Sequence, residues 1–131
     1  MKLHPLPENP PPAEAECLEL VTADKVRLRA MRAVPEAARG TVVIVGGRGD
    51  YIERYFETAR ELIARGFAVA TVDLRGQGGS QRVSGHRYRD SLRSFAEFDE
   101  DLRTLVEGVV IPSCPAPSTS VRRSSSNSTC C

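Results

Sequence analysis

No apolar run in this chain approaches the length of a bilayer span, so stable membrane insertion is not expected. Neither sign of charge is in excess. Eighteen Lys and Arg face 17 Asp and Glu, a formal net charge of +1, which gives nucleic acid or an anionic surface no electrostatic hold. The first residues, MKLHPLPENPPPAEAE, lack the apolar centre of a secretion signal, which points to the cytoplasm. Cys17, Cys114, Cys130 and Cys131 have no metal-ligand spacing, so free thiols in a reducing compartment are expected and no metal site. Histidine occurs only as His4, in a proline-rich lead, and His86, in an arginine-rich loop. Each reads as a solvated side chain and not as a general base.

What is present suffices for one small domain of 131 residues with a core of its own. Residues 1–15 carry five prolines and read as an extended lead. CLELVTADKVRLRAMRA alternates Leu18 and Leu20, turns at Ala23-Asp24, and alternates Val26, Leu28 and Ala30. This predicts a hairpin with one wet face. TVVIV (Thr41 to Val45) and FAVATV (Phe67 to Val72) read as strands buried on both faces. Between them Ile52, Tyr55, Phe56, Ala59, Leu62 and Ile63 recur at helical spacing, with Gly66 at the cap. Strand, helix and strand with short joints form a right-handed parallel crossover. A second helix is expected from Ser94, with Glu97 completing a capping box and Pro112 and Pro115 ending it.

The last fourteen residues, Ser118 to Cys131, hold eight Ser or Thr and no glycine. They are expected to be a disordered, non-native tail, because little here repays the entropy of ordering. A parallel sheet would require another strand at this point, and the expectation is that it is missing. The open edge then left on the sheet favours aggregation or self-association.

Three glycines in VDLRGQGGS (Val72 to Ser80) raise the question of a ligand loop. It lacks the Gly-Lys-Ser/Thr ending of a phosphate loop. Ser80 lacks a glycine two residues after it and no helix follows directly, so it reads as a turn serine and not a nucleophile. Gly46 to Asp50 and Asp73 trace the outline of a dinucleotide fingerprint, but the third glycine place falls on Ile52. Arg48-Gly49-Asp50 matches an adhesion tripeptide, too short a match to carry weight.

The stretch GTVVIVGGRGDYIERYFETARELIARGFAVATVDLRGQGGSQR (Gly40 to Arg82) resembles the monoacylglycerol lipase and lysophospholipase branch of the α/β-hydrolases, the serine aminopeptidase-like hydrolases. Asp73, Arg75, Gly76, Gly78 and Ser80 match its Asp-x-Arg-Gly-x-Gly-x-Ser motif, and Arg54-Tyr55 its helix start. FAEFDEDL (Phe95 to Leu102) is similar to the helix before the nucleophile strand. The resemblance implies an α/β fold: an antiparallel hairpin, then parallel strand-helix-strand-helix. It makes residues 16–117 a partial hydrolase domain, truncated before the nucleophile strand.

The resemblance also implies that the loop after Val45 supplies half of an oxyanion hole. The backbone N–H of Arg48, after Gly47, would be the donor to the oxygen that gains charge under attack. The family's histidine place in this loop holds Gly46 and its acidic place Asp50. No Gly-x-Ser-x-Gly occurs in the chain, and the triad acid and histidine, which come later in the fold's chain order, have no residues to fall on. The implied function is therefore the N-terminal fragment of a serine hydrolase of lysolipids, monoacylglycerols or other small esters. It is expected to be inactive alone and to need no cofactor. The alternative is a small α/β nucleotide-binding or interaction module.

Overall fold

The computed structural model describes residues 1–46, 49–82, 95–113, 118–123 and 128–130. The hairpin consists of β1 (Ala15–Val21) and β2 (Arg27–Ala33), with Leu20 opposite Leu28 and Leu18 opposite Ala30. Its turn is held by Thr22, whose N–H donates to the Val26 carbonyl and whose Oγ1 accepts the Val26 N–H, both at 2.9 Å. β3 (Thr41–Val45) and β4 (Ala68–Val72) are parallel, and β2 pairs antiparallel with the far side of β4. As their unbroken apolar runs require, every residue of β3 and β4 is buried.

Alternation within these strands builds two cores. Val43, Val45, Ala70 and Val72 face one way with Leu28 and Ala30, while Val42, Ile44, Val69 and Met31 face the other. The second layer is covered by a 3-10 turn (Ile52–Tyr55) running into α1 (Phe56–Ala64), which presents Ile52, Tyr55, Phe56 and Ala59. The first is covered by α2 (Phe95–Leu105) and the π-helical segment Val106–Val110 that continues it. Leu105, Val109 and Val110 complete that core. Gly66 ends α1 at φ +91°, a left-handed position that admits glycine readily.

Three expectations need correction. The hairpin has no wet face along β2: Arg29, Met31 and Ala33 are buried, with the proline-rich lead and the segment after β3 both contributing to the cover of Arg29 and Met31. Leu3 packs against the second core, Arg29 Nη1 donates to the Lys2 carbonyl at 3.0 Å, and Asn9 Nδ2 donates to the Glu53 carbonyl at 3.0 Å. Second, the helix does not stop before Pro112 but runs to Ser113. A proline ring clashes with the carbonyl four residues earlier, here Gly108, and the wider π turn spans that place. The capping serine, Ser94, lies outside the described residues.

Third, Ser118–Arg123 is not without structure. It forms β5, parallel to β3 with Ile44 opposite Val121, and Ser128–Cys130 forms β6 antiparallel to it. The sheet order is β1-β2-β4-β3-β5-β6. The strand expected to be missing is therefore drawn from the tail. Strand pairing satisfies backbone groups whatever the side chains, and β3 offers a full row of them.

α2 is held to the sheet by a buried arginine. Arg75 gives its backbone N–H to Asp101 Oδ2 at 2.9 Å and its Nη2 to Asp101 Oδ1 at 2.8 Å, and Asp101 is fully buried on α2. The same guanidinium reaches the hairpin turn, with Nη1 2.7 Å from Asp24 Oδ2. The Arg75 hydrogen bonds, assisted by the Thr22 hydroxyl, lower the Asp24 pKa to about 2. A carboxylate depressed on folding stabilises the fold above its unfolded value of about 3.9 and loses that contribution as pH falls through the folded value. Asp24→Asn should therefore melt below the parent at neutral pH, with the gap closing between about pH 4 and pH 2. Thermal melts of both chains across that range check this. A gap that is constant with pH would remove Asp24 from the ion network.

Candidate functional site

β3 and β4 end side by side, and the loops that follow them meet at the carboxyl edge of the sheet. This is where an open α/β sheet presents its ligand site. Asp73, the first residue after β4, is the centre of the arrangement and its side chain is fully buried. Its Oδ1 accepts the Ile52 N–H at 2.8 Å, and its Oδ2 accepts the Gly79 N–H at 2.8 Å and the Arg29 Nε–H at 2.7 Å. Arg29 Nη2 lies 2.6 Å from the same Oδ2. Burial pushes the Asp73 carboxyl above its ordinary value, against the pull of Gly79, Arg29 and Ile52.

The other edge of Arg29 grips Glu53 in a two-pronged contact, Nη1 to Oε2 and Nη2 to Oε1, each 2.6 Å. Burial opposes charge on Glu53 too, but the Arg29 hydrogen bonds and the His4 N–H outweigh it and lower its pKa. Every nitrogen of the guanidinium is thus committed to a carboxylate. A cleft of about 550 Å³ opens over this pair, walled by His4, Leu6, Asn9 and Tyr51. The Arg29 guanidinium in its floor has no donor to spare for an anion.

Two readings of the glycine-rich loop follow directly. The Ile52 N–H, which a dinucleotide phosphate would need at the helix start, is taken by Asp73. Ser80 is buried: its Oγ accepts the Arg29 N–H at 2.8 Å and donates to the Asp73 carbonyl. Among the described residues no base touches it, and its own N–H closes the turn onto the Gln77 carbonyl at 3.0 Å.

The loop after β3 is fastened at several points. Gly49 N–H donates to Gln77 Oε1 at 3.1 Å, Arg54 Nη1 to Asp50 Oδ1 at 2.7 Å, and the Tyr55 hydroxyl to Asp50 Oδ2. Gly47 and Arg48, the residues named for the oxyanion hole, lie outside the described residues, as does His86. Arg75, Gly76, Gly78 and Ser80 fall in the loop beside Asp73, as the motif spacing requires. Sequence reasoning missed Arg29, Glu53, Gln77 and Asp101. Only Asp101 left a signal, being an acid on the apolar stripe of α2 between Phe98 and Leu105.

Asp73 dictates the glycine at position 78. A Cβ on Gly78, at φ +50°, would sit 2.3 Å from Asp73 Oδ2, whereas a Cβ on Gly49, at φ +79°, would meet nothing within 4 Å. Gly78→Ala should therefore combine backbone strain with a clash against buried carboxylate and cost about 2–4 kcal/mol. Gly49→Ala should show the strain alone, about 1–2 kcal/mol. Urea unfolding of both chains compares them. Equal losses would mean that Asp73 is free to move aside.

Residues 36–116 match the family described as Serine aminopeptidase, S33. The monoacylglycerol lipase of Mycolicibacterium smegmatis (strain ATCC 700084 / mc(2)155) is 41% identical over 68 residues, 52% of this chain and 22% of that protein. Lysophospholipase L2 of Escherichia coli K12 is 30% identical over 94 residues, 72% of this chain and 28% of that protein. The chain thus spans about a quarter of the length of these curated relatives. Among solved structures, a highly thermostable carboxyl esterase from Bacillus coagulans in complex with glycerol superposes with TM-score 0.63 at 26% identity. That match covers 77% of this chain and 34% of the esterase. An epoxide hydrolase from Vigna radiata, at 15% identity and TM-score 0.66, shows the shared fold alone. With its two-sided sheet, its crossover and its motif loop in family order, the chain belongs to the serine aminopeptidase S33 family of α/β-hydrolases.

Proposed function

We propose that this chain forms the oxyanion-loop side of a serine hydrolase acting on carboxylic esters of lysolipids, monoacylglycerols or related small molecules. The observation that carries this reading is the juxtaposition of the two loops. The turn after β3 is tied through Gly49 and Ile52 to the Asp-x-Arg-Gly-x-Gly-x-Ser loop after β4, inside the segment that matches the family. By the family resemblance the donor to a developing oxyanion is the Arg48 N–H, after Gly47, while the Gly49 and Ile52 N–H groups are spent on Gln77 and Asp73. A preorganised backbone donor of this kind contributes about 2.7–4 kcal/mol to transition-state stabilisation. The names of the lipase and lysophospholipase relatives support the substrate class.

In this reading the 131 residues do not hydrolyse esters by themselves. The chain has no Gly-x-Ser-x-Gly, and a serine hydroxyl without a base is a poor nucleophile at neutral pH. The abrupt change of composition at Ser118 supports a tail that departs from the family's own continuation, as a shifted reading frame would produce. Self-association belongs to the same reading, because β5 and β6 bring a polar sequence to the sheet edge where an apolar strand is due. A cytoplasmic location is also part of it; among the described residues no helix is long and apolar enough to cross a membrane.

The purified chain should release no product from short-chain aryl esters and take no label from a fluorophosphonate probe. Stoichiometric labelling of one serine, abolished by its replacement with alanine, would reveal a nucleophile and overturn the inactive reading. Sedimentation at micromolar concentration should give a mass above the 14.3 kDa of one chain. A monomer at every concentration would remove self-association.

A further inference from the structure

Gln77 sits at the x of Gly-x-Gly in the motif loop, and no charge or nucleophilicity recommends it. It is nevertheless 94% shielded from solvent and its two amide atoms are treated unequally. Oε1 reaches 28 residues back along the chain to accept the Gly49 N–H at 3.1 Å, whereas Nε2 is buried with no hydrogen-bond partner. It is the sole buried side-chain nitrogen or oxygen so placed among the described residues. An amide left in this state is costly, and buried polar groups of this kind are met by protein or by ordered water.

Beside Gln77 lies a small cavity of about 10 Å³, walled by Gly46, Asp50, Tyr55, Thr71 and Asp73. That volume is at the lower limit of the room one water needs. Acceptors are at hand. Asp73 Oδ1 takes one donor, the Ile52 N–H, and a carboxylate oxygen can accept a second.

We propose that Gln77 is a positioning residue: its Oε1 latches the turn after β3 through Gly49, and its Nε2 donates to a single buried water in the cavity behind that turn. The water accepts from the otherwise unpartnered Nε2 and donates to Asp73 Oδ1, tying Gln77 to Asp73 across the cavity. Two fasteners then fix the segment between β3 and the helix, Asp73 at Ile52 and Gln77 at Gly49. Gly47 and Arg48 lie between β3 and the second fastener in sequence, so the latch sets one boundary of the loop that would carry the oxyanion donor. The catalytic meaning of the latch rests on the hydrolase reading above; the latch and the water do not.

The test uses the whole 131-residue chain and needs no activity. Amide hydrogen exchange is followed at Gly49, Ile52 and Gly79, the last two being held by Asp73. In Gln77→Leu, exchange at Gly49 should accelerate at least about tenfold while Ile52 and Gly79 stay within about twofold of the parent. Gln77→Glu, which keeps an acceptor, should restore protection at Gly49. In the parent, the Gln77 side-chain amide should give a nuclear Overhauser cross-peak to a long-lived water. Unchanged exchange at Gly49 in Gln77→Leu, or equal acceleration at all three amides, would overturn the latch. Should Gln77→Leu not fold, loss of Gly49 protection in a folded Gln77→Glu would overturn it equally. Absence of the water cross-peak would overturn the water. Fluorophosphonate labelling of the chain would count against the inactive reading and leave these exchange rates as they are.

Discussion

The buried carboxylate of Asp73 is the constraint from which the carboxyl edge of the sheet takes its shape. Its oxygens meet the start of the helical segment at Ile52, the motif loop at Gly79 and β2 at Arg29. Arg29 extends the connection to Glu53 and, through the Lys2 carbonyl, to the lead. A buried charge network of this kind is weak evidence of net stability, since its desolvation is costly. Removing one partner typically costs about 3–5 kcal/mol, because a charge is then left uncompensated. The network therefore acts as a specification. Only a chain with glycine at positions 78 and 79 can bring its backbone close enough, Gly79 leaving no room for a Cβ against Arg29 Nε.

A second network on the other side of the sheet has the same logic with the signs exchanged. There the buried centre is cationic, Arg75, and acids converge on it from the hairpin turn and from α2. Asp73 and Arg75 both follow the end of β4, where strand alternation no longer holds, and they reach elements on opposite faces of the sheet. One fastens the turn before α1 and the other fastens α2. A single loop after β4 thus fixes the elements that cover both faces, which gives the motif a structural function without any contact to a substrate. Likeness in this motif therefore bears first on the architecture of the mouth of a site, and only through it on chemistry.

How far the sequence reveals this depends on what each residue must satisfy. β3 and β4 are legible because a strand covered on both faces has to be apolar throughout, and α1 because its apolar spacing has a period that no strand shares. The place of the motif loop after β4 was legible by resemblance. Arg29 was not, since a charged residue on an alternating strand looks the same whether water or a salt bridge awaits it. The covering of β2 was hidden for a related reason: a lead of prolines makes few backbone bonds of its own and docks through scattered contacts such as Leu3, Asn9 and Lys2. Gln77 leaves no periodic or compositional trace at all. Its partner is a backbone N–H far along the chain, and backbone groups are invisible to a reading of side chains.

The strand drawn from the tail separates two requirements that usually coincide. Pairing beside β3 asks only for extended backbone, and Ser118–Arg123 meets it in parallel register over five residue pairs. A nucleophile at that place asks for more. The chain must turn sharply from strand to helix with glycines on both sides of a serine, so that the hydroxyl stands exposed beside the oxyanion donors. Among the described residues the element after β5 is its antiparallel partner, β6. The sheet position beside β3 is thus filled by backbone pairing, which asks nothing of the side chains.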